Sequence, residues 1–165
     1  MKFSFCMCLC IVVGFAGLQV QGRDAFDLFP GPLVYFRALL PSDKTFGLES
    51  TIVFSKVEAN VGSGYNSSSG VFHVPIAGLY LMKCQLETTD PGVSEFFLES
   101  QGVQKSVLTI THIYSSKTMS VIIPLKVGDH VLMRKKFDSH NAPLRGGVWS
   151  QFSGYLLRED LINCQ

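Results

Sequence analysis

The chain has 165 residues, of which 47% are hydrophobic, 12% are aromatic and 16% are charged. That length suits one domain, and the apolar content is too high for an intrinsically disordered chain. With 14 Lys and Arg against 13 Asp and Glu, there is no basic excess of the kind that favours nucleic acid or an anionic membrane as a partner.

Residues 1–22 have the organisation of a secretory signal peptide. Lys2 is their only charged residue, an apolar run extends from residue 3 to about residue 18, and Val20 and Gly22 precede a possible cleavage site. The alternative is a transmembrane anchor, but a spanning helix usually needs about 20 apolar residues, which is more than this run provides. We therefore predict a secreted, extracellular protein with no membrane span.

Removal of the signal peptide would leave two of the five cysteines, Cys84 and Cys164. Two cysteines are too few for a small disulfide-dense scaffold. Three arrangements remain open: a disulfide between Cys84 and Cys164, a buried free thiol at Cys84 beside an unpaired Cys164, or a bridge between two chains through Cys164.

Residues 23–32 form a short linker with a Pro-Gly-Pro turn signal, and a series of β-rich segments follows it. The segments are rich in Val, Ile, Phe, Tyr and Thr, many of them alternate apolar and polar residues, and turn residues separate them. They cover residues 33–41, 51–59, 71–75, 77–89, 94–100, 104–114, 117–126, 129–137 and 148–159.

These segments predict an all-β fold, an antiparallel ten-strand jelly-roll β-sandwich over residues 33–158, with a tail over residues 159–165. No segment keeps a helical apolar stripe for three turns, so we expect little helix. Several segments, such as residues 152–157, are apolar on both faces. Such strands are covered by a second sheet on one side and, we expect, by another subunit on the other.

Three blocks of residues, in order along the chain, carry a family resemblance. The first block is Phe54, Asn60, Gly62, Tyr65, Asn66, Gly70, Phe72, Pro75, Gly78 and Tyr80; the second is Leu125, Gly128, Asp129 and Val131; the third is Phe152, Gly154, Leu156 and Leu157. With this spacing the chain resembles the globular-head domain of the complement C1q family, within the wider C1q/tumour necrosis factor-like superfamily. Two departures are Ser69, where the family usually has Thr, and the lack of a collagen-like Gly-X-Y repeat.

The resemblance implies a homotrimer of jelly rolls whose loops and rim bind extracellular glycans, microbial surfaces or protein ligands in innate immunity. It implies no required cofactor. Some family heads hold calcium at the trimer apex, but the resemblance assigns no residue of this sequence to that ion. Because fold does not fix function, a tumour necrosis factor-like signalling ligand and an extracellular structural or assembly protein remain alternatives.

No catalytic or metal-binding pattern is visible in the sequence, and we expect a non-enzymatic protein. The sequence lacks a GxSxG elbow, a CxxC pair and a phosphate-binding glycine loop. The four histidines, His73, His112, His130 and His140, do not have the spacing of a metal motif. We expect them on strand surfaces or at the rim.

Asn66-Ser67-Ser68 is an N-glycosylation sequon in a predicted loop. Either Asn66 carries a glycan, or its side chain is occupied in the turn.

Arg134, Lys136 and Arg145 are candidates for binding anionic sugars or lipids. On a strand, Arg134 and Lys136 share one face and Lys135 takes the other, and Arg145 in the following loop could join the first two. The alternative is a solvated strand edge whose charges discourage pairing with another chain.

Overall fold

The computed structural model describes residues 31–139 and 141–159. The predicted signal peptide, most of the predicted linker and all but the first residue of the predicted tail lie outside these ranges. The described residues form ten strands and no helix, and therefore no helix that could cross a membrane. The strands are β1 Tyr35–Leu40, β2 Lys56–Val61, β3 Tyr65–Asn66, β4 Val71–His73, β5 Gly78–Glu87, β6 Ser94–Ser100, β7 Val103–Ile110, β8 Ser116–Leu125, β9 His130–Asp138 and β10 Gly147–Glu159.

Two five-stranded antiparallel sheets form a sandwich. The first sheet has the order β2-β1-β10-β5-β8, and the second sheet has the order β3-β4-β9-β6-β7. The all-β jelly-roll fold predicted from the sequence is confirmed. Because β1 and β10 are antiparallel neighbours, with Tyr35 opposite Tyr155, the chain enters and leaves the first sheet at the same end.

A cluster of aromatic rings joins the two sheets at the centre of the core. The ring of Phe36 from β1 stacks on Tyr65 and Phe72 of the second sheet, with ring centroids 4.8 Å and 4.7 Å apart. Phe152 of β10 meets Phe36 edge-on at 5.1 Å. All four side chains are buried. One phenylalanine therefore contacts three strands besides its own, and such aromatic pairs add about 0.5–1.5 kcal/mol each beyond the area they bury.

The motif residues Asn60 and Tyr65 close the turn between β2 and β3. The Asn60 Nδ2 donates to the Tyr65 carbonyl at 2.9 Å, and the Asn60 Oδ1 accepts from the Tyr65 amide at 3.0 Å. Inside the core, the Tyr65 hydroxyl donates to the Phe54 carbonyl at 3.1 Å. Burial raises the pKa of the Tyr65 phenol, so the hydroxyl keeps the proton that it donates. Asn60 and the Phe54 carbonyl thus supply hydrogen-bond partners for the backbone and the hydroxyl of Tyr65.

Two predicted segments differ from the observed strands near the first motif. The predicted strand over residues 51–59 begins only at Lys56, while the preceding residues pair with β9: the Ile52 amide donates to the Met133 carbonyl at 2.8 Å. The short strand β3 lies where a loop was predicted. An apolar pattern indicates which residues are buried, and Ile52 is buried. It does not indicate which strand their backbone pairs with.

A third difference concerns the end of β7. The predicted segment over residues 104–114 stops being a strand at Ile110, and residues 111–115 form a loop. Tyr114 in that loop has a φ of 49°, which a continuing strand does not permit. Apolar alternation through Ile113 and Tyr114 therefore extended the predicted strand beyond its true end.

The motif glycines Gly78 and Gly154 permit close approach between strands. A Cβ on Gly78 would overlap the Arg158 carbonyl oxygen, and a Cβ on Gly154 would lie 2.5 Å from Cε1 of Phe36. Replacing either glycine therefore requires neighbouring strands or the central ring to move.

Gly78→Ala should lower the free energy of unfolding by about 1–3 kcal/mol, the range typical of overpacking. Gly47→Ala is the matched control, because Gly47 is exposed and a Cβ added there would have no atom within 4 Å. Urea denaturation of the two variants and the unmodified protein measures both changes. Equal stability of the two variants would contradict the role assigned to Gly78.

Candidate functional surfaces

An apolar row crosses the exposed face of the first sheet. Its members are paired in register across all five strands: Val61, Tyr35, Tyr155, Leu81 and Ile122. Ile122 is 58% exposed, and the tyrosine rings are in edge contact at 6.4 Å. A sheet face that meets only water usually carries polar side chains. This apolar row, as we call these five residues, therefore marks a surface suited to contact with another protein.

The row on one side of the apolar row is polar. The adjoining row pairs Arg37 with Ser153, Ser153 with Lys83, and Lys83 with Ser120. Arg37 also forms an ion pair with Glu58 at 3.0 Å. The apolar row, together with the exposed Leu79 beyond it, thus lies at one end of the sheet and is bordered by polar residues on the other side.

Residues 152–157 show why the sequence is apolar on both faces in this region. Phe152 and Leu156 point into the core, whereas Tyr155 belongs to the apolar row and Leu157 is exposed beyond it. Burial alternates from Ser150 to Leu156, so apolar residues on both faces of this segment contact the core on one side and the apolar row on the other.

Arg134 and Lys136 lie on the exposed face of the second sheet, where two carboxylates engage them. Arg134 Nε lies 2.7 Å from Glu99 Oε2, and Lys136 Nζ lies 2.7 Å from Glu49 Oε2 and 3.4 Å from Glu99 Oε1. The hydrogen bond to Glu49 raises the pKa of Lys136. Two positive and two negative groups therefore offset one another, and an anionic ligand would have to compete with Glu49 and Glu99.

The alternative interpretation of this basic run as a protective strand edge is wrong. Strand β9 lies inside the second sheet, between β4 and β6. Its backbone is already paired, so the charges of Arg134 and Lys136 are not needed to keep another strand away.

Arg145 belongs to a separate group of side chains, which we call the Arg145 cluster: Arg145, Glu87, Tyr114 and Trp149. Arg145 Nη1 lies 2.7 Å from Glu87 Oε1, and the Glu87 side chain is buried. The guanidinium carbon lies 4.3 Å from the Trp149 ring centroid and 5.8 Å from that of Tyr114. Arg145 makes none of the contacts that hold Arg134 and Lys136, so the three basic candidates do not form one patch.

Sequence reasoning missed the two aromatic members of this cluster. Tyr114 is 63% exposed and Trp149 is 41% exposed. Tryptophan, tyrosine and arginine are enriched among residues that dominate binding energies at interfaces. The sequence does contain a signal for Trp149, which is the only tryptophan of the chain and lies close after Arg145. Tyr114 is distant in sequence, and only the fold brings it near Arg145.

Lys135 points into the core, opposite to its two basic neighbours. Its Nζ donates to the Phe46 carbonyl at 2.8 Å and forms an ion pair with the Asp138 carboxylate. Both side chains are 2% exposed. The buried pair fixes residues 46–50 against β9, where the Glu49 amide also donates to the Lys135 carbonyl at 2.8 Å.

Asn66 is exposed, and its side-chain oxygen is used within the turn. Oδ1 accepts hydrogen bonds from the amides of Ser68 at 2.9 Å and Ser69 at 3.2 Å. These bonds use Oδ1 and not Nδ2, the atom to which a glycan is attached. The turn geometry and glycosylation are therefore compatible, and glycosylation of Asn66 stays a prediction.

Cys84 is a free thiol in the structure, buried in the core cluster between the sheets. Burial raises the pKa of this thiol, which disfavours the reactive thiolate. Cys164 lies outside the described residues, so its pairing within or between chains stays a prediction.

Within the described ranges, no group of three or more His, Cys, Asp or Glu side chains could hold a metal ion. His112 is exposed in the loop after β7, and His140 lies outside the described residues. His73 and His130 are exposed on neighbouring strands, with ring centroids 4.5 Å apart.

The remaining motif residues have structural roles. Phe54, Phe72, Tyr80 and Phe152 are all fully buried in the core. The Tyr80 hydroxyl donates to the Ile76 carbonyl at 2.7 Å, and burial raises its pKa to about 12. The motif glycines Gly62, Gly70 and Gly128 have φ values of 85°, 76° and 84°, which residues with a side chain rarely adopt. Asp129 Oδ2 accepts from the Lys126 amide at 2.9 Å, and Pro75 follows β4.

Comparison with known proteins identifies the domain type. A family model described as the C1q domain matches residues 36–157. Multimerin-1 from Mus musculus is 27% identical over 115 residues, and Multimerin-1 from Homo sapiens is 28% identical over 134 residues. The matches cover 64% and 76% of this chain but 9% and 10% of those proteins. The chain thus spans about a tenth of the length of these curated relatives.

Solved structures show the same fold. The globular domain of zebrafish complement 1qA protein has a TM-score of 0.64 and 16% identity, covering 77% of this chain and 99% of that one. Eiger TNF from S. frugiperda has a TM-score of 0.63 and 11% identity, covering 82% of this chain and 99% of that one. At these identities the likeness shows the fold alone.

Lys135→Met should lower the free energy of unfolding by about 3–5 kcal/mol, because it removes one partner of a buried ion pair. The double variant Lys135→Met/Asp138→Leu should be more stable than Lys135→Met, since an apolar pair replaces both buried charges. Lys136→Met is the control, and its effect should be much smaller because its ion pairs are exposed to solvent. Chemical denaturation measures these three variants and Asp138→Leu, and effects of the two single variants that simply add in the double variant would contradict the pair.

Proposed function

The chain belongs to the C1q domain family, and on that premise we propose that it is a secreted, non-enzymatic recognition module that works as a homotrimer. Its ligands are microbial surfaces, carbohydrates or proteins, and its biological setting is innate immunity. The observation that carries the proposal is the apolar row across all five strands of the first sheet.

The apolar row supports assembly with further copies of the same chain. C1q and tumour necrosis factor-like domains typically form trimers, and closed symmetry presents the same surface from each subunit. In such an assembly the apolar row is buried between subunits. This would explain why these side chains are apolar although they are exposed in a single chain. The polar row beside it, with Arg37 and Lys83, would border the contact.

Trimerisation makes weak ligand sites effective. Three linked copies of one site bind a repetitive surface far more tightly than a single copy does, without any new contact. A microbial envelope or a glycan array offers repeated epitopes of this kind.

The Arg145 cluster is the surface we propose for ligand contact. Arg145 is held in place by Glu87 and two aromatic rings, so little freedom is lost when a ligand binds. Glu87 also offsets the positive charge. The cluster therefore suits a neutral sugar or a mixed polar and apolar protein surface better than a strongly anionic ligand.

Calcium is not required for this proposal. Ca²⁺ binds through six to eight oxygen atoms, with carboxylates prominent among them. The described residues of one chain contain no acidic cluster that fits such an ion. A calcium site at the trimer apex would need oxygen atoms from more than one subunit, and the binding experiment below includes a calcium arm to test it.

A second candidate function is extracellular assembly, which the match to Multimerin-1 favours. The same trimer would then connect longer assemblies instead of presenting ligand sites. A third is a signalling ligand like tumour necrosis factor, for which the support is fold likeness alone.

We expect the secreted protein to have three times the monomer mass in sedimentation equilibrium. Ile122→Lys and Leu79→Lys place a charge on the exposed end of the first sheet, and each should shift the protein towards monomer. Val107→Lys is the matched control, because Val107 is also exposed but lies on the second sheet. A monomeric unmodified protein, or equal loss of trimer in all three variants, would contradict the proposed contact.

The unmodified protein should bind a subset of spots on a glycan and microbial-surface array. Trp149→Ala should weaken that binding at least about tenfold, as expected for an interface hot spot. Phe97→Ala is the control, because Phe97 also lies near a cation, Lys136, at 5.8 Å, but on the second sheet. The array is run with and without calcium.

Each alternative function gives its own result in this experiment. Tight binding to a host receptor without any binding to the array would favour the signalling function over the recognition function. Large assemblies without ligand binding would favour the assembly function.

A further inference from the structure

His73 and His130 form a directly opposed pair on the surface of the second sheet. They are register partners on the antiparallel strands β4 and β9. The His73 amide donates to the Gly64 carbonyl at 2.8 Å, and the His130 carbonyl accepts from the Gln101 amide at 3.1 Å. These backbone groups thus point away from one another. In such non-hydrogen-bonded pairs the side chains lie closest together.

The two imidazole rings are in contact and accessible. Their centroids lie 4.5 Å apart with an angle of 75° between the ring planes, and both residues are exposed. Among the described residues, no hydrogen bond or ion pair holds either side chain. Rotation of the side chains alone can therefore direct one nitrogen of each ring towards a shared point.

The strands hold the pair in place. Val131, which follows His130, is fully buried, and Phe72, which precedes His73, packs against the central Phe36 ring. The backbone on both sides is therefore fixed by the core. A rigid pair of ligands binds a cation more tightly than two mobile ones, because less freedom is lost on binding.

We propose that His73 and His130 chelate a divalent transition metal ion, with water completing its coordination. Two neutral imidazoles suit Cu²⁺, Ni²⁺ and Zn²⁺, whereas Ca²⁺ and Mg²⁺ prefer oxygen ligands. Both carboxylate oxygens of Asp129, the residue before His130, already accept hydrogen bonds, from the Lys126 amide and from Gln101 Nε2, so we assign no metal bond to it. The proposal does not depend on the proposed function.

The test is calorimetric titration of the intact, metal-free secreted protein, prepared without a histidine tag, with Cu²⁺, Zn²⁺ and Ca²⁺. We expect one Cu²⁺ per chain, weaker binding of Zn²⁺ as the usual order of affinities requires, and a Ca²⁺ titration that is the same in the unmodified protein and in variants of the pair. His73→Asn and His130→Asn should each weaken Cu²⁺ binding by more than about tenfold, since loss of a residue that merely supports a metal ligand already costs roughly 10–100-fold. The double variant should be little worse than either single variant, because one imidazole cannot chelate.

His112→Asn is the control, since His112 is another exposed histidine of this domain and should bind as the unmodified protein does. Thermal unfolding provides a second measurement: bound Zn²⁺ should raise the Tm of the unmodified protein and of His112→Asn, but not of either pair variant. Absence of Cu²⁺ binding, unchanged binding in His73→Asn or His130→Asn, or its loss in His112→Asn would overturn the proposal.

Discussion

The contact between Phe36 and the rings of Tyr65 and Phe72 joins the two sheets, and much of the remaining structure follows from it. A stacked ring at this position requires a neighbour without a side chain, which Gly154 provides on β10. It also requires the buried hydroxyl of Tyr65 to find a partner, which the Phe54 backbone supplies. Four of the motif residues, Tyr65, Phe72, Phe152 and Gly154, therefore surround one central ring.

The basic residues of β9 and Arg145 all lie in local ion pairs. Arg134 and Lys136 share the Glu99 carboxylate, Lys135 is paired inside the core, and Arg145 is paired with the buried Glu87. A run of basic residues in the sequence thus becomes several nearly neutral groups in the fold. Long-range attraction of anions is weak under these conditions, so recognition by this surface depends on shape and direct contact more than on charge.

The sequence predicted the fold class and the strands whose alternation is clear, such as β8, where Met119 and Ile123 face the core as expected. It did not predict β3, because two residues between turns carry no periodic signal. It did not predict the importance of Phe36, since one phenylalanine in an apolar strand looks like any other. The candidate surfaces were the least predictable, because the partners of Arg145 and of His73 come from distant parts of the chain and are brought together only by the sheet order.

The antiparallel pairing of β1 and β10 brings the start of the first strand next to the end of the last strand. Tyr35 lies at the start of the domain and Tyr155 near its end, and the two are register partners. Trp149 lies near the opposite end of β10. The first and last strands therefore meet at the end of the sheet that carries the apolar row, whereas the Arg145 cluster lies towards the other end. A partner that covers the apolar row would thus contact one end of this strand pair, and a ligand of the Arg145 cluster would contact the other.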